Sequence, residues 1–280
     1  MLSILKKEIT KMKRFFYAIF FMTIFAIAPA LHAEAPSDDD LRKAAQNPMA
    51  NMISVPIQNN TNFGYGPLDE TQNMTNIQPV LPFNLSENWL LISRTVAPLI
   101  SQPEFVNGQG TEFGLGNITQ SLFLGPSKPG KIIWGAGPVF LLPTATDSRL
   151  GGNKWGAGPG AVVLTIQGPW VAGALVQNIW SFAGPSDEDD VNQMLAQYFV
   201  NYNLPNGWYL TSSPIITANW EADSDNKWTV PLGGGFGRLF KIGKLPVNAQ
   251  CQAFYNVEKP DVLGPDWTLR VQLQFLLPKW

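Results

Sequence analysis

Trp267-Thr-Leu-Arg-Val-Gln-Leu-Gln-Phe-Leu-Leu-Pro-Lys-Trp280 decides the fold. Trp267, Leu269, Val271, Leu273, Phe275 and Leu277 share one parity, and Thr268, Arg270, Gln272 and Gln274 share the other. Successive side chains of a strand point to opposite faces, so this period of two gives one apolar and one polar face. The preceding strand repeats it, with Val247, Ala249, Cys251, Ala253, Tyr255 and Val257 against Asn248, Gln250, Gln252, Phe254 and Asn256. Met194, Ala196, Tyr198, Val200, Tyr202 and Leu204 likewise oppose Gln197, Asn201 and Asn203. A soluble β-protein can contain such strands; a strand with lipid on one side and water on the other requires the pattern.

The other end of the chain favours lipid. Lys11, Lys13 and Arg14 precede an apolar run from Phe15 to Pro29, and Ala30-Leu-His-Ala33 offers an A-x-A-like cleavage site. Residues 1–33 therefore read as a signal peptide, with a retained membrane helix as the alternative. The run is short of the roughly 20 residues that a helical span needs. Cleavage after Ala33 takes with it five of the 19 basic residues and one of the 21 acidic ones, leaving a net charge of −6. Such a chain has no basic patch for nucleic acid. With a single cysteine, Cys251, it has no internal disulfide either. No later apolar run is long enough to span as a helix, so a membrane-embedded mature chain must be a closed barrel, which leaves no backbone group unpaired in lipid. The Trp and Phe, ten and 17 in number, suit either the aromatic belts of such a barrel or a large soluble β-core.

Residues 34–52 read as a periplasmic N-terminal segment, with a short helix over 38–52 whose acidic start suits a helix N-terminus. Leu41, Ala44, Ala45 and Met49 fall on one face of it. Residues 53–280 read as the barrel. Twelve strand-like segments follow one another: 53–63, 73–85, 88–100, 111–124, 131–142, 158–167, 170–182, 194–204, 207–220, 227–239, 246–257 and 267–277. Their connections alternate. Ser86-Glu87, Pro126–Gly130, Gly168-Pro169, Pro205-Asn206 and Lys241–Leu245 are tight or turn-rich. Gly64–Gln72, Ser101–Gly110, Pro143–Ala157, Ala183–Gln193, Glu221–Asn226 and Glu258–Asp266 are mostly longer. A barrel with both termini in the periplasm shows that alternation. The fold class is thus all-β: a transmembrane antiparallel β-barrel of about 12 strands with a short N-terminal helix.

The segments over 131–182 alternate less well. Ile132, Ile133, Trp134 and the run Val162–Ile166 are apolar on both faces, among many glycines. A central soluble strand looks like this, and so does a barrel strand packed on a plug or lining an apolar passage. The glycines of Gly233-Gly-Gly235 and Gly156–Gly160 match no phosphate-cradling motif and read as bends or close approaches.

His32 is the one histidine and is lost with the signal. The mature chain then has no Ser-His-Asp or Cys-His arrangement and no His-based zinc site. The acids cluster in loops, as in Ser186-Asp-Glu-Asp-Asp190 and Glu221-Ala-Asp-Ser-Asp225; solvated loop tips or weak cation contacts account for them. The expectation is a non-enzyme with no cofactor and no catalytic or metal residues. With the polar parity inward, the lumen-lining candidates are Arg94, Asn248, Gln250, Gln252, Arg270, Gln272 and Gln274. An arginine facing lipid near the midplane costs about 2–4 kcal/mol, which turns Arg94 and Arg270 inward. Arg94 then either pairs with a lumen carboxylate or lies on a solute path.

The stretch Ala45–Gly66, with Asn47-Pro-Met-Ala-Asn-Met52 and Asn59-Asn-Thr-Asn-Phe-Gly-Tyr-Gly66, and then Thr71–Val80, resembles a family of bacterial outer-membrane barrels. That family is labelled transporter or neuromedin U-like and is similar to barrels linked with the MetA pathway of phenol degradation. The resemblance implies a Gram-negative outer-membrane location and the passage of small apolar or aromatic compounds, with no catalytic residues to carry over. The expected partners are outer-membrane lipid, the barrel-insertion machinery and a small-molecule solute. The readings left open are passive passage of small neutral or apolar solutes, a non-conducting structural or surface-binding barrel, and a soluble exported β-protein with a hydrophobic ligand. One departure stands out: Trp280 is out of phase with Leu277 and Phe275, and a bulge at Leu276–Leu277 would restore it.

Overall fold

The computed structural model describes residues 38–277; the signal segment, His32 and Trp280 lie outside them. Helix α1 (Asp38–Ala45) precedes β1 (Ile53–Tyr65), β2 (Glu70–Ile77), β3 (Val80–Asn84) and β4 (Trp89–Gln102). Next come β5 (Glu112–Leu115), β6 (Ile118–Pro126), β7 (Ile132–Leu142), β8 (Trp155–Gln167), β9 (Trp170–Ala183) and β10 (Asn192–Asn203). The last are β11 (Trp208–Ser212), β12 (Ile215–Asn219), β13 (Trp228–Ile242), β14 (Leu245–Glu258) and β15 (Trp267–Leu277). All strand pairings are antiparallel, and β15 returns to β1 from Ile53↔Leu277 to Phe63↔Trp267, which closes the sheet.

Fifteen segments make twelve staves, because three staves are interrupted. β2 and β3 lie along β4, β5 and β6 lie along β4, and β11 and β12 lie along β10. Pro79 and Pro214 cause two of the breaks. A proline has no N–H for the ladder, yet the register is the same on either side, Ile77↔Ala97 and Val80↔Arg94 in one case, Val200↔Ser212 and Gln197↔Ile215 in the other. The third break, at Gly116-Asn117, shifts the register by one residue: Leu115 faces Leu99, whereas Thr119 faces Val96. That is the signature of a bulge.

The strand faces follow the sequence parity. On β15, Arg270, Gln274 and Leu276 are buried, while Trp267, Leu269, Val271, Leu273 and Leu277 are exposed. Outward Trp89, Trp134, Trp170 and Trp208 mark the rim of the short turns, and Trp180, Trp220 and Trp267 the rim of the loops. Ring contacts run along both rims: Trp89 meets Trp134 edge-on at 6.4 Å, and Tyr255 meets Trp267 at 4.9 Å. Between the rims, Ile57, Val163, Val176, Val200, Leu210, Leu232 and Val271 are exposed. An apolar outer band between aromatic girdles is what a bilayer selects.

Several sequence expectations need adjustment. The helix ends at Ala45 and not at Met52, because Pro48 cannot continue it; the Asn47 side chain instead accepts from the Met49 amide at 2.9 Å. The connection expected over Gly64–Gln72 shrinks to residues 66–69, since β1 and β2 both extend into it. No bulge occurs at Leu276–Leu277: these residues pair in register with Ser54 and Ile53, so the phase is unbroken through Leu277.

Candidate functional site: the lumen

The lumen has two unlike walls. Leu90 and Ile92 of β4, Phe123 of β6, Val139 of β7, Val162 of β8, and Leu175 and Ile179 of β9 form one apolar cluster. Facing them, β1, β14 and β15 present Ser54, Gln58, Asn60, Asn248, Gln252, Arg270 and Gln274, all buried. Of these strands, β7, β8 and β9 already read from the sequence as apolar on both faces. In a barrel, the second apolar face needs an apolar partner inside.

That partner is the segment after α1. Met49 is buried in the apolar cluster. Its thioether sits where a Cβ on Gly125 or Gly135 would come within 2.8 or 2.5 Å of it, so these two glycines make its seat. At the short-turn end Leu41 and Met52 pack on Leu239 of β13 and Leu276 of β15. Arg42 donates from Nη1 to the Leu204 carbonyl at 2.8 Å, and Gln46 donates from Nε2 to Asn203 Oδ1 at 2.9 Å. Asp39 ties α1 internally through Arg42 and Lys43; the hydrogen bond from Lys43 is the main cause that holds its carboxyl below the ordinary value.

Above this segment lies a cavity of about 170 Å³. Six of the seven lumen candidates line it: Arg94, Gln250, Gln252, Arg270, Gln272 and Gln274. Asn248 does not; it is packed behind, accepting from Tyr209 Oη at 2.8 Å and donating to Gln274 Oε1 at 3.2 Å. Sequence reasoning missed Gln58, Gln78, Gln197, Tyr209, Thr211 and Ser213, which also line the cavity. Their strand parity was available as a signal, since the segments read over 53–63, 73–85, 194–204 and 207–220 contain all six, but the inward parity drawn from the sequence covers only the last two strands and Arg94.

The breaks at Pro79 and Pro214 help to position both arginines. Ser213, just before Pro214, has a carbonyl that receives Arg270 Nη1 at 2.7 Å; Arg270 Nε donates to Asn60 Oδ1 at 2.9 Å, and its guanidinium lies 4.8 Å above the Phe254 ring. Gln78, just before Pro79, accepts from Arg94 Nη2 at 2.6 Å. Neither arginine meets a carboxylate, so of the two expectations for Arg94 the ion pair is absent among the described residues. Neutral dipoles and an aromatic face do the compensating.

Glycines let these side chains cross the lumen floor. A Cβ on Gly237 of β13 would fall 2.2 Å from Tyr209 Cζ. The Tyr209 ring thus lies flat across β13 and reaches Asn248 on β14. Gln252 also bridges β13, its Oε1 accepting from the Ser213 amide at 3.0 Å.

Outside the lumen, Glu188 accepts from the Asn153 amide and side chain at 2.7 and 2.6 Å, and Asp190 pairs with Lys154 at 3.1 Å. These acids join two loops. No group of three metal-ligating side chains occurs among the described residues.

No family model matches the sequence, and no curated protein matches it. Among solved structures the chain is similar to the COG4313 outer membrane channel from Pseudomonas putida F1, with a TM-score of 0.58 at 17% identity over 89% of this chain and 98% of that one. The chain shares with that channel the fold of a closed antiparallel β-barrel. Outer membrane phospholipase A from Escherichia coli (TM-score 0.42, 13% identity, 82% of this chain and 94% of that one) and the CymD monoaromatic hydrocarbon channel (0.42, 9%, 90% and 94%) are more distant in shape. At these identities the likeness is one of fold.

Proposed function

We propose that this barrel is an outer-membrane channel through which small neutral or apolar solutes, aromatic ones among them, pass by diffusion, with residues 46–52 narrowing the short-turn mouth. The observation that carries this reading is the unfilled cavity between that segment and the strands, with neutral amides on one side and Leu175 and Phe199 on the other. Amides exchange hydrogen bonds with a passing solute, and beside them the wall carries the two fixed charges of Arg94 and Arg270 but no ring of like charge. Twelve staves fall between the eight that side chains fill and the 16–18 that leave an aqueous channel, so a narrow path is expected. The fold shared with an outer membrane channel and the resemblance to barrels linked with phenol degradation lend further support. Membrane insertion by the barrel machinery and removal of residues 1–33 belong to the same reading.

A second reading, a non-conducting structural barrel, is favoured by the Met49 cluster, which packs one half of the lumen shut. Uptake decides between them. Cells with and without the gene are given a small uncharged aromatic at limiting concentration. Slower uptake without the gene supports the channel; equal uptake supports the structural barrel.

A further inference from the structure

The geometry points to a site in the lumen for a small organic anion: a carboxylate borne on an apolar body about the size of one six-membered ring. This goes beyond the passage of neutral solutes proposed above, and rests on that reading only in that the anion must reach the same cavity.

Arg94 and Arg270 line one cavity from β4 and β15, the staves on either side of β1 and the β2–β3 stave. They are the charged residues of the strand interiors that face the lumen, and the acids of the described chain lie in α1, in loops or at strand ends. A guanidinium offers five N–H donors. Among the described residues Arg94 uses one N–H on Gln78, and Arg270 uses two, on Asn60 and Ser213. The rest of each fork is uncommitted, although Arg270 is only 5% exposed. Neutral dipoles, and for Arg270 the Phe254 face, compensate each buried cation only in part, and an anion at the uncommitted N–H groups completes it.

The opposite wall sets the rest of the ligand. Leu175 of β9 and Phe199 of β10 line the cavity across the barrel from β1. A cavity of about 150 Å³ accepts benzene, and this one measures about 170 Å³. It therefore suits a single ring lying against Leu175 and Phe199 with its carboxylate toward the arginines. Gln272 and Gln250 flank that carboxylate position with neutral amides.

Calorimetric titration of the full-length protein in detergent tests the site, with benzoate and its neutral isostere benzamide as probes at constant ionic strength. Benzoate is expected to bind saturably and at least tenfold more tightly than benzamide. Arg94→Gln and Arg270→Gln should each weaken benzoate at least tenfold and leave benzamide unchanged. Heat-modifiable gel mobility reports whether each variant keeps its barrel. Should Arg270→Gln lose it, Arg94→Gln decides alone, because its one bond to Gln78 holds no distant staves together. The inference is overturned if benzoate fails to bind, if it binds no better than benzamide, or if Arg94→Gln leaves its affinity unchanged. Benzoate binding together with no uptake of neutral solute would sink the channel reading and leave the anion site standing; the reverse pattern would do the opposite.

Discussion

Cys251 shares its face of β14 with Ala249, Ala253 and Tyr255 and is half-buried beside outward Val271 and Phe236. In membranes a charged maleimide should label it poorly and an apolar one well. Efficient labelling by the charged reagent would reverse the faces of β14. Gly237 makes a second test at this scale. Its alanine variant places a methyl 2.2 Å from Tyr209 Cζ, so the ring must leave its seat over β13 and its bond to Asn248. Overpacking of this kind costs on the order of 1–3 kcal/mol. The folded band in a heat-modifiability gel should therefore convert at a lower temperature, and an unchanged conversion would mean that Tyr209 moves freely. The sequence showed the glycines but not their reason, because the residue that needs the space lies almost thirty positions earlier.

Single elements show where sequence patterns carry information and where they stop. The alternation of β14 and β15 places five cavity-lining residues, Gln250, Gln252, Arg270, Gln272 and Gln274, on one parity, so their shared face follows from the sequence. The helical period read as far as Met49 misleads over 46–52, which is neither helix nor strand and whose course follows from contacts with distant staves. Met49→Ala should cost the segment about 2–5 kcal/mol of packing. Limited proteolysis near residue 50 should then be faster with the barrel intact; unchanged proteolysis would mean that the Gly125–Gly135 seat does not hold it. The loop acids read as solvated tips, yet Glu188 fastens one loop to another. Its carboxyl is held below the ordinary value by hydrogen bonds from the Asn153 side chain and amide. A lowered value in the folded state means that the contact stabilises the loops above the ordinary carboxylate range and is lost as pH falls through the lowered one. Hydrogen exchange at the Asn153 amide should be slow at neutral pH and quicken in acid, and Glu188→Gln should flatten that dependence. Protection that persists in acid would show that the carboxylate is not what holds it.

At the scale of the whole molecule, number and order of staves were legible because each strand and turn announces itself locally. The division of the lumen into an apolar and a polar wall was only half legible. Strands apolar on both faces fit a soluble core as well as a plugged barrel, and closure of the sheet distinguishes them. On the proposed function, solute crosses the membrane through this lumen. Liposome swelling with the full-length protein and a series of uncharged solutes of rising size tests it most directly. Swelling is expected with the smallest solutes, with a steep fall as size rises, and faster swelling when residues 34–52 are deleted from a barrel that still shows heat-modifiable mobility. No swelling with either form, from a correctly folded barrel, would contradict the proposed function.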